Sequence, residues 1–279
     1  MITNSQPHRE AAISLIESAL ERAKTQHAWY GTWTLFCREI KRFMSILAQT
    51  IVSPVLSTLL YFVVFGVSLG QRIDTVSGIA YIDFIAPGLV TMALITNSFF
   101  NSAFSFFLGK IHGSIVDLLA SPIGPIQMLV SYCFAAIVRG CLTGGLIWIV
   151  SQLMGADTLH SPMVTIAFMV SASFVFGLFG LTTAILSTDF EHINFIPSFI
   201  VMPLSFLGGV FYSTSMLPEF WAKVSRLNPI LYIVNGIRYG MTGVSDVPIW
   251  QGALFLGVTS LGLLSWTVYL LQSGKKVRE

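Results

Sequence analysis

Residues 162–187 read PMVTIAFMVSASFVFGLFGLTTAILS, without a single Asp, Glu, Lys or Arg. At a helical rise of 1.5 Å per residue, about 20 apolar residues cross the ~30 Å hydrocarbon core of a bilayer. A run this long and this free of charge reads as a transmembrane helix. Outward from it the same pattern recurs. No charged residue lies between Arg42 and Arg72, Asp83 and Lys110, Asp117 and Arg139, Arg139 and Asp157, Glu191 and Glu219, or Asp246 and Lys275. Joining the two runs around Arg139 into one helix predicts six spans, at 46–69, 82–108, 126–152, 162–187, 194–215 and 249–271. The expected fold is an all-α membrane protein.

Composition agrees. Hydrophobic residues make up 54% of the 279 and charged residues 10%, against roughly 25% charged in soluble domains. Mean hydropathy is +0.76. A net charge of +2 is too small to suggest a nucleic-acid partner. Cys37, Cys133 and Cys141 are neither paired by spacing nor grouped as metal ligands, and read as small buried hydrophobes. Residues 1–27 are polar and of mixed charge, with no apolar signal region, and are expected to form a cytoplasmic tail.

Orientation follows from the basic residues. Arg9, Arg22, Lys24, Arg38, Lys41 and Arg42 precede the first span, Lys110 lies in the second loop, and Lys275, Lys276 and Arg278 belong to a basic tail at 272–279. Positive residues favour the cytoplasmic side, so both ends are expected there. Ahead of the first span, Trp29, Trp33, Phe36, Ile40 and Phe43 recur at spacings of four and three, which places them on one helical face with Arg38, Glu39, Lys41 and Arg42 largely opposite. Residues 28–43 are thus expected to form an amphipathic helix. It lies in the membrane interface, aromatics toward the acyl chains, or it packs on a partner as a soluble helix. The stretch 212–246 holds Pro218, Pro229, several charges and a short apolar run from Leu227 to Ile237, too short to span. It reads as two short helices dipping into the outer leaflet.

Few residues carry candidate chemistry. Arg139 lies well inside the third span, where an arginine needs a partner or a water-filled cavity. It meets an anionic substrate headgroup or acts as a switch, or it pairs with helix-end carbonyls or a carboxylate such as Asp83 or Glu219. Phe100, Phe104 and Phe107 share one face of the second span and either line a path for an apolar substrate or pack against helices and lipid. Gly140 and Gly144, and Gly236 and Gly240, have the spacing that permits close helix approach. The G-x-S-x-G at Gly66–Gly70 would need a strand–turn–helix and a histidine base to be a nucleophile elbow, and it ends a span instead. No phosphate loop G-x-x-x-x-G-K-[ST] occurs, so the chain is not expected to hydrolyse ATP itself. Proton- or sodium-coupled transporters often carry acids at mid-membrane, but Asp83, Asp189 and Glu191 all fall at span ends. A secondary transporter or channel not coupled to an ATPase is the alternative reading.

The region Leu204–Arg238, with Leu207-Gly208, Leu217-Pro218, Asn228-Pro229-Ile230, Tyr232 and Arg238, resembles the ABC-2 family of exporter permeases, in the short six-span form. The segment from Gly113 to Ile123, GSIVDLLASPI, resembles that family's cytoplasmic loop after the second span, although Val116 stands where many relatives have Glu and the acid comes one position later, at Asp117. The resemblance runs over roughly residues 28–271. It implies a transmembrane domain at 46–271, with a coupling helix at 110–122 (Gly113, Ile115, Asp117, Leu118, Leu119, Pro122) docked on a separate ATPase. It also implies an external re-entrant hairpin at 212–246. The expected assembly is a homodimer with two ATPase subunits that hold ATP and Mg, in contact with lipid of the bacterial inner membrane and exporting an amphiphile (a drug, lipid or lipid-linked glycan) by alternating access. No cofactor is expected in this chain itself.

Overall fold

The computed structural model describes residues 29–69, 75–121 and 123–273. The tails at 1–27 and 274–279, with Lys275, Lys276 and Arg278, fall outside the described residues, as do Arg72 and Pro122.

Among the described residues the fold is all-α apart from one tiny hairpin. Helix α1 (Trp29–Ser45) bends into α2 (Leu47–Tyr61), which runs on as a π-helical stretch, Phe62–Leu69. Strands β1 (Thr75–Val76) and β2 (Ile79–Ala80) pair antiparallel around Ser77 and Gly78, both at positive φ, as two-residue hairpins require. Then follow α3 (Tyr81–Ile111), α4 (Ser114–Ala120), α5 (Pro125–Leu153) and α6 (Pro162–Leu186). The next span is composite: α7 (Phe190–Ile196), a π-helical turn (Pro197–Val201) and α8 (Met202–Leu207). Outside it lie α9 (Glu219–Ser225) and α10 (Pro229–Thr242), before α11 (Ile249–Ser273).

Among the described residues, five helical segments are long and apolar enough to cross a membrane, or six if the bent α1–α2 pair is one span. The predicted spans stand, with two adjustments. The fifth begins at Phe190 and ends at Leu207, not at 194 and 215. Gly208 N–H closes back on Leu204 O at 2.7 Å, and Gly209, at φ +76°, turns the chain out of the helix, which a residue with a Cβ does only under strain. The β-hairpin was not foreseen, being too short to show a strand period.

Helix α3 forms the centre, 72% of its apolar window being buried, whereas α11 sits at the rim with 17%. The glycines set how closely α3, α5, α6 and α10 approach. A Cβ on Gly144 would lie 2.8 Å from Met169, and one on Gly240 would lie 2.6 Å from the backbone nitrogen of Thr165. Both predicted glycine pairs are therefore contact points between helices. Serine and threonine hydroxyls inside the bundle mostly return to carbonyls one turn back, as Thr182 to Leu178 and Thr183 to Phe179, satisfying groups that lipid cannot.

Candidate transport groove and coupling surfaces

A groove of about 350 Å³ runs between α2, α3 and the composite fifth span. Ser53 and Ser57, one turn apart, face it from α2; Thr96, Asn97 and Phe100 from α3; Ser198 and Ser205, two turns apart, from the fifth span. Ser205 and Asn97 are anchored to Val201 O and Ala93 O, at 2.7 and 3.0 Å. Leu89, Met92 and Val201 make up much of the remaining wall. The lining is therefore mixed, with hydroxyls and an amide set among aliphatic carbons, which suits an amphiphile better than an ion or a sugar alone. Pro54 and Pro197 also line the groove. Each proline removes a backbone donor from its helix, and the second stands at the start of the π turn.

Of the three phenylalanines on the predicted face, Phe100 reaches the groove. Phe104 stacks on it at 5.0 Å and 14°, and Phe107 is 1% exposed, its ring edge-on to Phe190 at 5.1 Å. Arg139 does not line the groove. It is 9% exposed and makes no ion pair among the described residues. Asp83 instead accepts from Asp157 N at 2.8 Å, and Glu219 pairs with Lys223 at 2.7 Å, so neither proposed carboxylate serves it.

Helix α1 departs from its expected faces. Trp29 and Trp33 are 72% and 64% exposed, with Phe36 leaning on Trp33 at 5.5 Å, but Phe43 is buried and so is Glu39, at 1%. The inner face is Leu35, Glu39 and Phe43, at i, i+4 and i+8. Glu39 accepts from the Ser105 hydroxyl, from Arg38 at 3.3 Å and from Arg42 at 3.1 Å. Arg38 also reaches Tyr132 Oη at 3.3 Å, Arg42 donates to Asn101 O at 3.1 Å, and Ser131 Oγ donates to Thr32 O at 3.0 Å. The helix is thereby tied to α3 and α5 while its tryptophans face outward. Periodicity missed Glu39 because the groups that bury it lie on other helices: its partner Ser105 is 66 residues distant, although Arg38 and Arg42 are near in sequence.

On the opposite end from the β-hairpin, Gly113 at φ +72° turns α3 into α4. Ile115 and Leu118 are buried, at 3% and 8%, whereas Val116 is 62% exposed. The apolar side of α4 thus seats it on its own bundle, because α3 offers apolar cover there. The side chains of Asp117 and Leu119 are not among those described.

The hairpin of α9 and α10 is built by caps. Pro218 precedes α9, and Pro229 opens α10 behind Asn228, whose Oδ1 accepts from Ile230 N at 3.0 Å and whose amide reaches Leu204 O at 2.6 Å. Tyr232 Oη donates to Arg226 O at 2.8 Å and its ring stacks on Phe255 at 4.5 Å. Arg238, 1% exposed, lies 3.9 Å over the Phe84 ring, donates to Gly209 O at 2.5 Å and faces Asp246 at 3.7 Å. Asp246 also accepts from Ser213 Oγ and Thr214 N, at 2.9 and 3.0 Å. Sequence reasoning overlooked Asp246, which lies 32 residues beyond the loop it pins.

Comparison with known proteins gives concordant results. The family model described as ABC-2 type transporter matches residues 30–242. The chain is 37% identical over 252 residues to the inner membrane transport permease YadH of Escherichia coli (strain K12), covering 90% of this chain and 98% of that one. It is 21% identical over 216 residues to Nodulation protein J of Rhizobium meliloti (strain 1021), covering 77% and 81%. A match over most of the chain, joined to five or six apolar spans and a capped hairpin ahead of α11, places this protein in the ABC-2 type transporter family.

Proposed function

We propose that this chain is the permease subunit of an ATP-driven exporter in a bacterial inner membrane. It acts as a pair of copies with two separate ATPase subunits that bind ATP and Mg, and it moves an amphiphile outward by alternating access. The observation that carries this reading is the groove between α2, α3 and the fifth span. It is part hydroxyl and part hydrocarbon, and it is walled by two proline-containing helices, one of which opens into a π turn at Pro197–Val201 that marks it as a part able to change shape. Similarity to a transport permease over nearly its full length supports the class and the membrane. The excess of basic residues ahead of the first span supports an α4 that faces the cytoplasm. Docking of the ATPase then falls to the outward side of α4 around Val116, since Ile115 and Leu118 are used within the bundle.

Secondary transport is disfavoured because Glu39, the most buried acid among the described residues, is engaged by two arginines and a serine and does not line the groove. The test is purification of the tagged chain from its native membrane in mild detergent. ATP hydrolysis should accompany it, and Val116→Arg should remove that activity while leaving the yield of folded chain intact. A preparation that never carries an ATPase, or a Val116→Arg variant that keeps it and still transports, would overturn the reading.

A further inference from the structure

Four buried side-chain atoms among the described residues find no hydrogen-bond partner in the protein: Thr50 Oγ1, Asn101 Nδ2, Arg139 Nε and Arg238 Nε. All four can donate, so what is lacking is acceptors. Arg238 is otherwise well served, by Gly209 O and Asp246. The other three lie on α2, α3 and α5. Helix α5 packs against both α2 and α3.

The register of α3 and α5 brings Asn101 and Arg139 toward each other. Ser98 Oγ donates to Ala136 O and Ser102 Oγ to Tyr132 O, at 3.3 and 3.4 Å, which sets Asn101 and Arg139 about 9 Å apart along the antiparallel axes at 1.5 Å per residue. Side chains lean toward the N-terminus of their own helix. On α5 that direction leads from Arg139 toward the level of Asn101, and on α3 from Asn101 toward Arg139. Arg42 holds Asn101 by its carbonyl and its side-chain oxygen, at 3.1 and 3.3 Å, which leaves the amide hydrogens unspent. Arg42 is also the charged group that acts on Arg139, with the same sign. Arg38 and Arg42 already share one carboxylate, Glu39, and Arg139 adds a guanidinium that makes no ion pair among the described residues.

Excess positive charge together with unspent donors, deep in a bundle, calls for a ligand that brings negative charge and only acceptors. We infer that Arg139, Asn101 and Thr50, backed by Arg42, form an internal oxyanion site that takes the phosphate-type or carboxylate headgroup of an amphiphile. The site is separate from the groove lining. In an exporter it would select anionic amphiphiles, a consequence that rests on the function proposed above; the binding itself does not.

The test uses the full chain in dodecyl maltoside, titrated with dodecyl phosphate and, as the cationic counterpart, dodecyltrimethylammonium, while thermal unfolding is followed. Dodecyl phosphate should raise the melting temperature of the wild type and the cation should not. Arg139→Gln and Asn101→Asp, the latter keeping the oxygen that Arg42 needs, should each weaken the phosphate effect about tenfold or more. Without ligand, Arg139→Met should melt no lower than the wild type, because it removes an unpaired charge; a structural arginine would give a clear drop. Wild-type affinity in Arg139→Gln, no response of the wild type to dodecyl phosphate, or a destabilised Arg139→Met that still responds would each overturn the site. Two further measurements identify the source of the headgroup. Phospholipid retained by the wild type and lost from Arg139→Gln in native mass spectrometry marks a resident lipid. Stimulation of the assembled ATPase by dodecyl phosphate, in the wild type alone, marks a transported substrate. The titration needs no ATPase, so its failure leaves the exporter reading standing, and a missing ATPase leaves the site standing.

Discussion

At the scale of single residues, Glu39 does the most to join separate parts of the chain. A carboxylate this buried is tolerated only when charge and hydrogen bonds surround it, and removing one partner of such a set costs roughly 3–5 kcal/mol. Because Arg38 is half exposed, Glu39→Gln should fall toward the lower end, near about 3 kcal/mol, read as a lower melting temperature in detergent. Ser105→Ala should cost less, about 1–2 kcal/mol, as the loss of one charge-assisted bond. Equal melting of Glu39→Gln and wild type would show that α1 is held by packing alone. None of this was visible along the chain. Periodicity put Glu39 among solvated charges because a helical wheel sees only residues within a few turns, and Ser105 and Tyr132 are far off in sequence. Arg139 was conspicuous in the sequence for the converse reason, that its own neighbours are all apolar.

Among the elements, the helices were legible and their interruptions were not. Exclusion of charge from hydrocarbon marks where α3, α5, α6 and α11 begin and end, so the predicted limits fall within a few residues of those observed. The bend after Ser45, the π-helical stretches and the early end of the fifth span at Leu207 depend on how one helix leans on another. The glycine spacings did announce close packing, and the contacts grade it. Gly240→Ala would push a methyl into the backbone of Thr165 and should destabilise by about 1–3 kcal/mol. Gly257→Ala meets nothing within 4 Å and should be neutral, or stabilising by up to about 1 kcal/mol through helix propensity. Thermal unfolding of the two variants side by side checks this, and similar losses in both would rule out close approach of α10 and α6 as the cause.

For the whole molecule the question is which end faces the cell interior. The basic residues ahead of the first span predict that the α4 end does, and the fold offers two exposed positions at which to ask, Val116 on α4 and Lys223 on α9. With Cys37, Cys133 and Cys141 replaced by Ser, Lys223→Cys should react with an impermeant maleimide added to intact cells. Val116→Cys should react only after the membrane is opened. Labelling of both from one side would invert or dismantle the six-span arrangement and the assignment of α4 to ATPase docking. Groove residues should report on transport without touching topology: Thr96→Trp, which fills the space between α2, α3 and the fifth span, should cut substrate-stimulated ATP hydrolysis severalfold at unchanged folded yield. The sequence could not reveal the groove, because its serines and threonines are scattered over three helices and come together only when those helices pack.

The wide turn at Pro197–Val201 has a genetic corollary. A π turn houses one residue more than an α turn of the same rise, so it behaves like an insertion that the fold absorbed without rotating the helix beyond it. Loss of one codon from 198–201 would rewind that turn to α and leave the faces of α7 and α8 in register. The same loss within α6 would swing every later side chain by about 100°, one residue's turn of a 3.6-residue helix. A scan of single-codon deletions should therefore find a narrow window of tolerance in the fifth span, and none in the fourth.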